Sequence, residues 1–281
     1  MPFLRRRVGS DDWQPVGISE LESHAIDVVR STNNRSVIAG PGSGKTELLA
    51  QRACYLLQCG ISPPPQRILA ISYKRDGASN LEKRVQARVH PTLAYRFDSR
   101  TFDSFSKSLV DRFSQALPER WRPSLDYEIE NATGRIVRDF LRRLTPPASV
   151  GTVADIVTIS VKTFEKRHIV AALLAVDGIK NPTPGQWAAQ QFWENWLRGG
   201  DRSYLTFAMI GRLAELLVRT NPMVRDALRY FEVACFKQRI HPKMIASGAA
   251  GLVGLCLIDA RADVIDITPN KNEDHYSTNS W

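Results

Sequence analysis

Cysteine is scarce in this 281-residue chain, with four in all: Cys54, Cys59, Cys235 and Cys256. None forms a CxxC pair or another metal-ligand spacing, which argues against a zinc ribbon, a redox dithiol and a disulfide scaffold. Cys54 and Cys59 fall on or just after a predicted helix, where a small buried thiol is the simpler reading. Histidine is nearly as sparse, and its five copies (His24, His90, His168, His241, His275) are scattered, so no structural metal is expected. No apolar run is long enough to span a membrane, and the apolar stretch Gly248 to Ile258 falls short. The N-terminal MPFLRRRVGSDDW carries arginines without an apolar core of signal-peptide length. Internal repeats and low-complexity tracts are also missing. Together these absences point to a reducing, cytoplasmic setting without a membrane partner.

Hydrophobic residues make up 43% and charged residues 24%, values ordinary for a globular chain that buries one large core or two modest ones. The formal charge of +9 suits a polyanionic partner, although charge alone is weak evidence.

Up to about Phe113, strand and helix signals alternate. ISELESHAIDVVRS places Ile18, Leu21, Ala25, Val28 and Val29 at helical spacing, with Ser19 as a cap. SVIA reads as a buried strand, and Glu47 to Gln58 as a helix. The prolines of CGISPPPQ end that helix. RILAISY is a second strand, GASNLEKRVQARV a helix, and YRFDSRTFDSFSKSLVDRF an extended piece running into a third helix. Such alternation predicts an α/β fold with a parallel sheet. From about Ser114 the period turns helical, through ENATGRIVRDFLRRL, ADIVTISVKTFEKRHIVAALLAV, GQWAAQQFWENWLRG and YLTFAMIGRLAELLVRT. Trp187, Trp193 and Trp196 in this region read as core. The expected division is 1–113, a nucleotide-binding segment; 114–220, an inserted helical subdomain; and 221–281, a return segment with an atypical tail.

AGPGSGKT, Ala39 to Thr46, is the most informative stretch. Gly42 and Gly44 permit backbone conformations closed to other residues, so that successive N–H groups converge on phosphate oxygens. The helix beginning near Lys45 adds its positive pole. Ala39, Gly40, Pro41, Gly42, Ser43, Gly44, Lys45 and Thr46 are therefore the candidate nucleotide-binding residues. Lys45 is expected to reach the β- and γ-phosphates and the Thr46 hydroxyl to ligate Mg²⁺.

Three motifs in order resemble the start of the UvrD/PcrA/Rep group of superfamily 1 DNA helicases. They are LESHAIDVVRSTNNRSVIAGPGSGKT, RILAISYKRDGASNLEKRV and SRTFDSF; the clear resemblance spans about residues 15 to 113, and YLTFAMIGRLAELLVRTNPMVRDALRY extends it toward Tyr230. It implies a P-loop NTPase sheet with an inserted helical subdomain, Mg²⁺-ATP as cofactor and single-stranded DNA as partner. It places Glu22 where the family usually sets a glutamine against adenine. It also places Ser72, Tyr73, Lys74, Thr101, Phe102 and Ser104 along the DNA path. Arg75 and Asp76 stand where the family often has an asparagine-lysine pair, and Asp103 where it has a histidine. For each aromatic, simple packing of the sheet is an equally good reading.

The family's Asp-Glu pair, which holds the metal and activates the attacking water, is not found after Tyr230, where FEVACFKQRIHPKMIAS follows. The nearest substitute is Asp259, at the end of LVGLCLID. The expected activity is thus that of the ATP-binding domain of an ATP-dependent DNA helicase, incomplete and impaired in hydrolysis. Its second motor domain would come from a partner chain. The abrupt end of the resemblance after Tyr230 reads as a frameshift; a diverged nucleotide-binding regulatory or interaction module without motor activity is the alternative.

Overall fold

The computed structural model describes residues 7–31, 33, 35–38, 42–132, 134–238 and 263–268. In chain order, α1 (Ser23–Arg30) leads to β1 (Arg35–Ile38), α2 (Lys45–Gln58), β2 (Arg67–Ser72) and α3 (Arg75–Gln86). A single turn, α4 (Pro91–Ala94), precedes β3 (Phe97–Thr101) and α5 (Phe102–Phe113). Next come β4 (Glu128–Ile129), α6 (Gly134–Arg143), α7 (Val153–Val157), α8 (Val161–Phe164) and a π-helical turn, Glu165–Val170. Then follow α9 (Pro184–Arg198), β5 (Tyr204–Leu205), α10 (Phe207–Thr220), α11 (Pro222–Phe231), β6 (Glu232–Gln238) and β7 (Asp263–Thr268). Helices and strands mix as in an α/β protein. Among the described residues the chain divides into two compact units, one running to Phe102 and taken up again from Asp226, the other Asp103–Arg225.

In the first unit five strands form one sheet in the order β1-β7-β6-β2-β3, every neighbouring pair parallel. The carboxyl ends of all five therefore share one edge. β2 pairs on both sides, and Ile68 to Ile71 are buried without alternation, the pattern of a strand covered on both faces. α3 presents Ala78, Leu81 and Val85 to the core at helical spacing. Ser99 Oγ on β3 ties to that helix by donating to the Ala78 carbonyl at 2.9 Å.

α2 is buried at every position from Leu48 to Leu57. Among these is the guanidinium of Arg52, whose Nη1 donates to the carbonyls of Val28 and Val29 at 2.7 and 3.0 Å, fastening α2 to the end of α1. The segment before α1 packs on α2 as well. Trp13 is 2% exposed, meets Tyr55 edge-on at 5.4 Å and donates from Nε1 to Gln58 Oε1 at 2.8 Å.

Two helices differ from the sequence reading. α1 begins at Ser23 with Glu22 as its cap residue, not at Ser19. Just upstream, Val16 has both backbone groups bound by side chains, and Gly17 turns the chain at φ 73°. The helix starts only beyond that anchored turn. In the second unit the expected continuous helix around 154–176 is broken into α7, α8 and the π-helical turn. Thr152 and Ser160 each cap a new start, accepting from Asp155 N and Thr163 N. Thr158 closes the preceding turn by donating to the Ala154 carbonyl at 2.8 Å.

The second unit's core is aromatic. Phe192 stacks on Trp196 at 5.1 Å and meets Phe140 and Phe164 edge-on at 5.3 and 5.8 Å. Trp121 meets Trp193 edge-on at 5.4 Å. Trp193 and Trp196 are buried, while Trp187 is half-buried.

Candidate functional site

The glycine turn enters the structure at Gly42; Ala39, Gly40 and Pro41 lie outside the described residues. Gly42 and Gly44 take φ 81° and 74°, left-handed values that favour glycine. Gly44 N donates back to the Gly42 carbonyl at 2.9 Å, and the Gly44 carbonyl accepts from Leu48 N at 2.9 Å as the first bond of α2. No atom approaches within 4 Å of where a Cβ would stand on either glycine. Gly42 to Gly44 are exposed at the positive end of a fourteen-residue helix. An exposed helix N-terminus of this kind is a general anion-binding element. Lys45 and Thr46, half-buried, form the first helical residues; their side chains are of the types that contact phosphate and Mg²⁺.

One residue further on, Glu47 is the hub of an ionic cluster that sequence reading missed. Its Oε2 accepts from Arg84 Nη1 at 2.5 Å and Arg88 Nη2 at 3.0 Å, both from α3 or just after it. Its Oε1 accepts from the Gln51 amide at 2.8 Å. That amide also donates to the Val16 carbonyl at 2.7 Å, while Gln51 Oε1 accepts from Val16 N at 2.9 Å. Arg88 Nε donates to the same Val16 carbonyl at 3.0 Å. The helix that starts at the glycine turn is thereby locked to α3 and to the segment before α1. The i,i+4 pairs Glu47–Gln51 and Arg84–Arg88 are visible in sequence, but that they face each other is not.

At the other side of the sheet, β2 and β3 pair with Ser72 opposite Thr101, so two of the expected DNA-path residues stand side by side at strand ends. Ser72 is buried and Thr101 half-buried. Tyr73 is 40% exposed and Lys74, the extended cap residue of α3, is exposed. Phe102, at 6% exposure, belongs to the packing and offers no stacking face here. Ser104 is exposed on the first turn of α5. Glu22 is exposed at the start of α1 and makes no side-chain cap bond. Asp259 lies outside the described residues. β6 ends in Phe236-Lys237-Gln238, with its single carboxylate, Glu232, at the amino end. On β7, the register sets Asp266 beside Ser36 of β1.

The sequence matches the family model for the UvrD/REP helicase N-terminal domain over residues 21–198, more than half of the chain. The chain belongs to the UvrD/REP helicase family. The matched span of this UvrD-like domain takes in α1, the glycine turn, the ends of β2 and β3, and the second unit as far as the end of α9. It is also similar to DNA helicase IV of Escherichia coli (strain K12), 33% identical over 110 residues, which are 39% of this chain and 16% of that protein. The similarity thus spans a small part of that relative. Among the described residues of this UvrD-like chain, no helix is long and apolar enough to cross a membrane, and no cluster of metal-ligating side chains occurs.

Proposed function

We propose that this chain is the ATP-binding domain of a UvrD-like ATP-dependent DNA helicase, with Mg²⁺-ATP seated on residues 39–46 and single-stranded DNA on the shared carboxyl edge of the sheet. The observation that carries the reading is the paired left-handed glycines over open space at the head of a buried helix, in a chain of this family. The backbone N–H groups of the loop from Ala39 to Gly44, Pro41 having none, turn toward the phosphates. Lys45 neutralises the β- and γ-phosphates, Thr46 holds the metal, and Glu22 lies toward the base. Ligands of open α/β sheets bind at the carboxyl ends of strands, and the glycine turn, Tyr73 and Thr101 all follow or end such strands. On the DNA path Tyr73 stacks on a base, Lys74 meets a phosphate, and Ser72, Thr101 and Ser104 present hydroxyls. Phe102 sets the turn between β3 and α5 from within the core.

Hydrolysis is impaired in this reading, because β6 ends in lysine and glutamine where the family carries its Asp-Glu pair. That same departure favours the second reading, a nucleotide-binding regulatory module without motor activity. ATP binding and turnover by the purified chain, with and without single-stranded DNA, beside Lys45→Ala, separates them. The helicase reading expects nucleotide binding lost in Lys45→Ala and salt-sensitive DNA binding. Nucleotide binding with no DNA affinity at low salt selects the module.

A further inference from the structure

The second unit carries a cavity of about 270 Å³ that the nucleotide and DNA reading does not use. It lies between α6 and the α7–α8 junction, lined by Arg138, Leu141, Arg142, Val157, Ile159 and Val161, with Thr158 and Ser160 completing the wall. Its volume sits near the lower end for small-ligand pockets.

The chemistry of the wall is two-sided. Arg138 and Arg142 are exposed on successive turns of α6, their Cβ atoms about 6 Å apart. Among the described residues neither makes an ion pair or hydrogen bond. The one carboxylate of α6, Asp139, faces Arg135 instead, at 3.8 Å. The wall's hydroxyls have their protons committed: Thr158 Oγ1 donates to the Ala154 carbonyl and Ser160 Oγ to Thr163 Oγ1, each at 2.8 Å. The two guanidiniums are therefore the side-chain donors left for a ligand. The opposite side is aliphatic and continues outward over Val157 and Val153, 46% and 45% exposed one turn apart on α7.

We propose that this cavity docks an acidic segment of a partner protein, two carboxylates pairing with Arg138 and Arg142 while an adjacent apolar side chain fills the space among Leu141, Val157, Ile159 and Val161. Charge complementarity selects the anion, since the arginines have no carboxylate of their own. The aliphatic wall selects a peptide over a nucleic-acid backbone, whose phosphates repeat without an apolar side chain between them. A bidentate Arg–carboxylate fork supplies the geometry.

The test uses the full chain and a fluorescein-labelled peptide of four alternating Asp and Glu residues ending in Leu-Phe, read by fluorescence anisotropy. Binding is expected, weakened about ten-fold or more by Arg138→Glu with Arg142→Glu, and by a similar factor when the peptide's Leu-Phe is replaced by Ser-Ser. Arg135→Glu with Arg143→Glu makes the same charge change on the same helix outside the cavity and is expected to cost less than about three-fold. All four arginines are exposed, so circular dichroism should match wild type in both double variants. Absence of peptide binding, equal loss in the two double variants, or indifference to the Leu-Phe end overturns the proposal. So does tighter binding of a single-stranded oligonucleotide that depends on Arg138 and Arg142, which would assign the face to nucleic acid.

Discussion

Glu47→Ala is the most informative perturbation of the first unit, because one carboxylate there serves two arginines and an amide. Arg84 is 39% exposed, so on losing Glu47 it can turn to water, at roughly 0–1 kcal/mol. Arg88 is only 13% exposed and Glu47 16%, which makes their contact closer to a buried pair. Removing one partner of a fully buried pair costs about 3–5 kcal/mol. Arg88 keeps the carbonyls of Val16 and Arg84 at 3.0 and 2.8 Å, so its charge is not left without acceptors. About half the buried-pair value, ~2 kcal/mol, is the expected loss, most of it from Arg88. For a unit of this size that lowers the unfolding midpoint by roughly 5–8 °C. Hydrogen exchange of the α2 amides across a urea series isolates the first unit's unfolding. Glu47→Gln, which keeps an acceptor but not the charge, should lose about half as much. Glu47→Ala combined with Arg88→Met should be less than additive by about 1 kcal/mol. A loss under about 0.5 kcal/mol for Glu47→Ala would show that the cluster is a solvated surface pair and refute the reasoning.

Two further outcomes follow from single side chains. Burial, with the Arg167 charge beside it, holds His168 below the usual histidine value. The folded form then binds fewer protons than the unfolded, so this residue's contribution is complete above about pH 6.5 and is lost as pH falls from there toward the folded value. Urea titrations of the second unit at pH 7.5 and 5.5 should show that loss in wild type and a smaller one in His168→Gln; equal losses would contradict it. Cys54 is fully buried and its thiol is pushed up to about 12 by desolvation, whereas Cys59, also raised by burial, is half-buried at the end of α2. Iodoacetamide at pH 8 should modify Cys59 well before Cys54, and mass mapping that finds Cys54 labelled first in the native chain would overturn this placement.

What the sequence made legible was local. Gly-Lys-Thr between an apolar strand and an amphipathic run marks α2 and the two glycines whose backbone must go left-handed, because those constraints act within a few residues. β2 shows itself by four consecutive apolar residues. The start of α1 was not legible, since Val16 is held by Gln51 and Arg88, 35 and 72 positions away. The breaks near Thr152 and Ser160 were written in capping residues that an apolar period easily overruns. Trp13 gives no periodic signal at all; its place against Tyr55 and Gln58 depends on α2 already being formed. Likewise the pairing of Ser72 with Thr101 needs the parallel register of β2 and β3, a long-range fact.

The same distinction separates binding from turnover in this chain. The proposed phosphate site is assembled from adjacent residues, two glycines and a helix end, so its sequence signal is local. A water-activating carboxylate has to be delivered by another strand, and its position depends on register across the sheet. β6 reaches the carboxyl edge in register with β2, Gln238 opposite Ser72, and brings lysine and glutamine there. β7 runs beside β1 with Asp266 opposite Ser36, two residues short of its own end. If turnover is measured, Asp266→Asn is therefore the first substitution to make beside Asp259→Asn. Loss of hydrolysis in Asp266→Asn with nucleotide affinity kept would assign the acid to β7. Unchanged hydrolysis in both would refute a catalytic role for either aspartate.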